Sequence, residues 1–184
     1  YRLHAEIGLE KSVGDNDKEG EVLSPMNMRM STRLPYAMQT GDKSTSLISA
    51  ITFVKQSKNW AFGSQLRLKN AINTKEWNFG NHRSLNMWFS RDVSARLSWS
   101  ARGSFVSQSP IKGRDPMIMA PVQTANPVNY GGEVFEIGLG LNKIIGTGHG
   151  NNLAFELAVP LKQNLDGPQM ERGYSLSVAY SKMF

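Results

Sequence analysis

The feature that most restricts this chain is a two-residue alternation of apolar and polar side chains that outlasts the strands of ordinary globular proteins. Between residues 93 and 105 one face reads Val93, Ala95, Leu97, Trp99, Ala101, Gly103 and Phe105. The other reads Ser94, Arg96, Ser98, Ser100, Arg102 and Ser104. Period two places alternate side chains on opposite faces of a strand. A ladder of thirteen residues exceeds the usual strand of about five or six, whereas a tilted strand crossing a bilayer needs about 9–11. The alternation recurs over residues 60–69, 84–90, 135–142, 153–159 and 174–184, and less regularly over 3–9, 26–34 and 46–55, giving nine predicted strands.

Composition removes several alternatives. The 184 residues include no cysteine, which excludes disulfide frameworks, thiolate metal sites and cysteine nucleophiles. The same absence fits an exported protein. No apolar run approaches the roughly 18 residues of a membrane helix. A membrane β-barrel escapes that test, because each strand shows lipid only every second residue. The net charge is +6, but the basic residues are scattered, so no nucleic-acid partner is expected. The chain opens Tyr1-Arg2-Leu3 with no signal sequence. The expectation is a single domain over residues 1–184, either a mature product or one lacking an N-terminal strand or segment.

The connections also alternate. Short ones fall at residues 55–59, 90–92 and 143–151, and long polar ones at 37–45, 70–82, 108–132 and 161–173. Outer-membrane barrels sort their connections this way. The polar face is rich in Ser, Gly, Ala and Asn, which suits an enclosed interior better than a solvated surface. Aromatic residues Trp60, Tyr174, Tyr180 and Phe184 stand at strand ends, where interface girdles belong. The predicted fold is therefore all-β: a transmembrane antiparallel up-and-down β-barrel with at least nine visible strands. Ten to twelve are expected when complete, because bacterial single-chain barrels use even numbers. Alternation alone also fits a soluble barrel or sandwich with its apolar face inward.

The last strand closes on Phe184, with Tyr180, Val178, Leu176 and Tyr174 on the same face. This resembles the C-terminal signal of bacterial outer-membrane proteins, which the barrel-assembly machinery reads; Lys182 departs from it, since an apolar or aromatic residue is usual there. With Phe184 at the periplasmic rim, strand counting puts every long loop from residue 37 outside, but the charged segment 11–24 in the periplasm.

Two stretches carry a family resemblance. Gly138-Leu139-Gly140-Leu141-Asn142, the glycines 146, 148 and 150, Leu153 to Pro160, and Leu165-Asp166-Gly167-Pro168-Gln169-Met170-Glu171 form one. Residues 25–38, with Pro35-Tyr36-Ala37-Met38-Gln39, form the other. Together they resemble bacterial outer-membrane transporters of the meta-pathway phenol-degradation type. Between these stretches the likeness is one of architecture. The resemblance implies a barrel in the bacterial outer membrane and transport of small, hydrophobic or aromatic, molecules.

Six charged residues fall on predicted lumen faces: Arg67, Lys69, Arg96, Arg102, Glu136 and Glu156. They are either ion pairs filling a narrow barrel or a selectivity ring. About eight strands leave an interior just wide enough for side chains. Arg67 and Lys69 add positive character, which favours anionic solutes in an open pore. Met26, Met28 and Met30 stand at alternate positions; they are candidate Cu(I) ligands with His4 and His82, or a row facing lipid. His4, His82 and His149 lie in no serine-hydrolase or metal-ligand motif, and residues 146–150 lack the Lys and helix of a phosphate loop. No catalytic residue and no cofactor is expected. The segment 108–132 carries Pro110, Pro116, Pro121 and Pro127, which suppress helix and strand alike. It either folds inward to constrict the lumen or lies across the top.

The function expected is passive passage of a small solute through the outer membrane. The alternative is a non-conducting structural or assembly barrel within a larger envelope complex. Partners expected are outer-membrane lipid, the barrel-assembly machinery, and other envelope proteins or a second copy. Ten or fewer strands around a filled interior point to the alternative, and twelve or more around a cavity to the channel.

Overall fold

In the computed structural model, which describes residues 1–23, 26–73, 76–146 and 151–182, the long alternating stretches become one antiparallel sheet. Its strands are β1 (Arg2–Lys11), β4 (Thr45–Gln56), β5 (Trp60–Asn73), β7 (His82–Ser94), β8 (Leu97–Gln108), β10 (Gly132–Ile144), β11 (Asn151–Leu165) and β12 (Ser175–Lys182). They pair strictly in chain order. The hairpin β2 (Glu19–Leu23) with β3 (Arg29–Arg33), and the short pair β6 (Trp77–Asn78) with β9 (Lys112–Gly113), stand apart. Among the described residues β1 pairs only with β4, and β12 only with β11. The sheet therefore has two open edges and does not close. No described helix is long and apolar enough to cross a membrane.

Eight sheet strands replace the nine expected. Residues 26–34 alternate in polarity, but only Arg29–Arg33 form a strand, and it pairs with β2 alone. That hairpin is held by cross-strand charges, Arg29 with Glu21 at 3.5 Å and Arg33 with Glu19 at 3.9 Å. Neither strand pairs with the large sheet. With this stretch removed from the count, residues 12–44 join β1 to β4 at the same end as the other long connections, 74–81, 109–131 and 166–174. The misplacement of segment 11–24 at the opposite end is thereby corrected.

Two boundaries also move. The thirteen-residue alternation at 93–105 is cut by a two-residue turn, Ala95-Arg96, so Val93 and Ser94 belong to β7. Alternation runs through the turn in phase, and no Gly, Pro, Asn or Asp marks it, so period alone cannot see it. The pairing slips between Asp92 and Ser94, where a bulge tightens the corner. β11 runs through Pro160 to Leu165, beyond the expected end at Val159. Proline has no N–H for the ladder, and the register with β10 shifts there, from Glu136 opposite Pro160 to Phe135 opposite Lys162.

Pairing carries the sidedness of each strand across the sheet. One row links Ile51, Leu66, Leu85, Phe105 and Phe135; another links Leu139, Leu157 and Leu176. This apolar face is open to solvent: Ile51 is 55% exposed and Leu139 64%. Ala50 and Ser46, on the other face of β4, are buried. Burial in the sheet is thus inverted relative to a water-soluble core.

The dry apolar cluster lies elsewhere, in the long connections. Tyr36, Trp77, Ile111, Ile118 and Ala125 are buried together, with Phe79, Ala120 and Tyr130 against them. The aromatic rings meet edge to face, Tyr36 on Trp77 at 4.8 Å and Trp77 on Phe79 at 5.3 Å between centroids, the geometry that ring quadrupoles favour. Several polar groups in this cap are satisfied locally, although the buried Trp77 indole N–H has no partner among the described residues. The Tyr36 hydroxyl accepts from Asp115 N at 3.0 Å, and Gln39 Nε2 donates to Leu34 O at 2.7 Å. The proline-rich segment supplies Ile111, Ile118 and Ala125 to this cluster.

Candidate functional site on the polar face of the sheet

Two groups of charged side chains stand on the polar face. In the first, adjacent strands bring together three of the six residues expected to line a lumen. Arg102 on β8 donates from Nη2 to Glu136 of β10 at 3.1 Å and to Glu156 Oε1 of β11 at 2.7 Å, and from Nε to Glu156 Oε2 at 3.3 Å. The two bonds to Glu156 are the bidentate fork that guanidinium and carboxylate geometry favours. Register leaves room for it. Arg102 faces Gly138, and a Cβ there would stand 3.2 Å from Glu156 Cδ and 3.5 Å from Arg102 Nη2. Next to Arg102, Trp88 of β7 lies over Gly63 of β5, where any Cβ would come within 2.2 Å of the indole ring. Two glycines thus seat a large ring and a three-charge clamp on the same face.

The second group lies at the long-loop end. A cavity of about 510 Å³ is bounded by Glu10 of β1, Ser46 of β4, Arg67 and Lys69 of β5, His82 of β7 and Gln108 of β8. Five strands can border one cavity only if the sheet curls toward its polar face. Lys69 stands opposite His82 and is ion-paired with Glu10. The cap forms the rest of the wall through Asp42 and Phe79. Asp42 is 5% exposed and accepts from Ser44 N at 3.0 Å, Ser44 Oγ at 2.8 Å and Phe79 N at 2.9 Å. Burial pushes its carboxyl up, but these donors together with Ser12 outweigh it and leave Asp42 below the ordinary aspartate value. Asp42 also aligns Phe79, whose ring packs on Trp77.

The remaining expectations fare differently. Arg96 is corrected: it sits in the exposed two-residue turn at the opposite end from this cavity and lines no polar face. Tyr180 is on β12, its hydroxyl 3.5 Å from Asn151 Oδ1. Phe184, His149, Gly148 and Gly150 lie outside the described residues. Met26 and Met28 flank β3 and Met30 is on it, all exposed at the β2–β3 hairpin rather than in the sheet. Among the described residues no group of three or more His, Asp or Glu could hold a metal ion. Sequence reasoning missed Glu10, Asp42 and Gln108 as cavity neighbours. Only the register that sets Lys69 against His82 could have pointed to them, and strand pairing is not readable from one strand.

No protein-family model matches this chain, and no curated protein matches it.

Proposed function

We propose that this chain forms the wall of a bacterial outer-membrane β-barrel that passes small solutes along its polar face. The observation that carries this reading is the inverted burial: an apolar face continuous over eight strands is open, while in the six strands from β4 to β11 the polar face is the more buried of the two. In water such a face is an exposed patch far larger than a soluble monomer tolerates; against hydrocarbon it is the favourable arrangement. Strand length supports it. The six strands from β4 to β11 in the sheet run 12 to 15 residues, more than the roughly 9–11 that cross a bilayer. Near the short-turn end of the apolar face, Trp60 stacks on Phe89 at 6.2 Å and Phe89 packs on Trp99 at 5.5 Å. Lys55 lies 5.7 Å from the Trp60 ring centre. Such a band of rings and lysine suits a membrane interface. The resemblance of residues 138–171 and 25–38 to phenol-degradation-type transporters agrees with a barrel that admits small molecules.

The test is reconstitution of the purified chain into planar bilayers and vesicles. Stepwise conductance and uptake of small solutes are expected. Absence of both would remove the channel reading.

The count of eight described sheet strands, below ten, and the Arg102 clamp favour a second reading, a non-conducting barrel that serves envelope assembly. Arg102→Met separates the two. A channel narrowed by the clamp gains conductance when it is removed, whereas a structural barrel stays silent with and without it.

A further inference from the structure

We infer that the cavity at the long-loop end of the polar face binds a small monocarboxylate with a short apolar tail. Only its place inside a lumen rests on the channel reading; the site itself is argued from local chemistry. Its volume of about 510 Å³ falls in the ordinary range for small-molecule pockets, about 300–1,000 Å³. Of the charged groups around it, two are already matched. Lys69 is ion-paired with Glu10, and the Asp42 carboxylate takes bonds from Ser44 and Phe79. Arg67 is different. Among the described residues no carboxylate lies within ion-pairing distance of its guanidinium, although it borders the cavity two residues from Lys69 on the same face.

Arg67, the one guanidinium on the cavity, is exposed and without a carboxylate partner among the described residues, and it can take one negative charge. Its planar fork fits a carboxylate with two parallel bonds, and His82 and Gln108 across the cavity add donors for a single oxygen. A dianion fits less well, since Glu10 and Asp42 share the rim. The tail has a surface to meet as well. Phe79 borders the cavity, held by its N–H on Asp42 and by its ring on Trp77 at 5.3 Å, and Ala71 stands on the β5 side. A guanidinium together with the apolar surfaces of Phe79 and Ala71 on one cavity selects an amphiphilic acid over a bare ion.

Hexanoate, with hexanol as its neutral counterpart and inorganic phosphate as the bare oxyanion, tests this by equilibrium titration of the full chain in detergent micelles, with micelles alone subtracted. Saturable hexanoate binding is expected, with hexanol and phosphate each weaker by at least about tenfold. Arg67→Gln lowers hexanoate affinity to the level of hexanol, and Arg67→Lys restores part of it, because a single ammonium lacks the fork. Arg83→Gln, the same charge change on the opposite face of β7, leaves binding as in the parent chain. Heat-dependent gel mobility confirms that each variant is folded. The proposal is overturned if hexanol or phosphate binds as well as hexanoate, or if folded Arg67→Gln binds like the parent. Binding without conductance supports the site and removes the channel; conductance without binding removes the site and leaves the channel.

Discussion

In the loop cap, Trp77, Tyr36 and Ile118 are buried against one another, and the Tyr36 hydroxyl and the Gln39 amide are tied to neighbouring backbone. In the sheet, Leu139, Leu157 and Leu176 stand side by side in the open, while Ser46 and Ala50 are covered and Arg102 is clamped between two glutamates. The same chain thus follows the rule of a water-soluble core in one region and its reverse in the other. On the proposed outer-membrane reading, the two regions are built for different surroundings. The cap carries its own apolar cluster because its loops meet water, and the sheet needs none of its own if hydrocarbon covers its outer face.

The largest effect expected on this contrast comes from Trp77→Ala. Trp77 is 1% exposed, and truncating a buried tryptophan costs about 3–5 kcal/mol. The part of the near-ultraviolet circular dichroism that comes from the packed rings of the cap should be lost at lower denaturant, while the contribution of the sheet's rings and the far-ultraviolet sheet signal hold. Simultaneous loss of the cap and sheet signals would show that cap and sheet are one cooperative unit and dissolve the comparison. Next comes Leu139→Arg, on the open apolar face. In a bilayer it should destabilise the folded chain by about 2–4 kcal/mol if it lies near the midplane. A folded population in lipid unchanged by this substitution would mean that the face does not meet hydrocarbon.

The smallest effect sharpens the cap side. The folded Asp42 carboxyl titrates below its unfolded value of about 3.9, so it contributes stability above that pH, which is lost as pH falls through the folded value. The near-ultraviolet signal of the cap should therefore weaken below about pH 4, before the sheet signal, and Asp42→Asn should flatten that acid step. An acid step of equal size in both chains would assign the loss to other carboxylates.

Legibility divides along the same line. Sidedness was readable for the strands: Phe155 and Leu157 on one face and Glu156 on the other follow from period two alone, and the structure keeps that sorting. Sharing a face also put Arg102, Glu136 and Glu156 forward together. What could not be read was that Glu156 takes the bidentate position, with Gly138 of the strand between β8 and β11 leaving room for it. Arg96 went astray because a turn of alanine and arginine carries no breaker. The hairpin at residues 19–33 alternates like a strand of the sheet, and only its pairing partner tells it apart. The cap was invisible as a unit, since Tyr36, Trp77 and Ile118 come from three connections with no shared periodicity.

The alternation of side chains is a local property of extended backbone, fixed by the geometry of successive residues. For that reason the amino-acid order alone determined an all-β chain with one apolar and one polar face per strand, and long connections sorted from short ones. Which residues meet across strands is a non-local property: pairing must choose one register among several that sidedness permits. Hence tertiary structure alone decided that Arg67 would border a cavity with its charge unmatched, that Lys69 would be taken by Glu10, and that three separate loops would enclose a tryptophan.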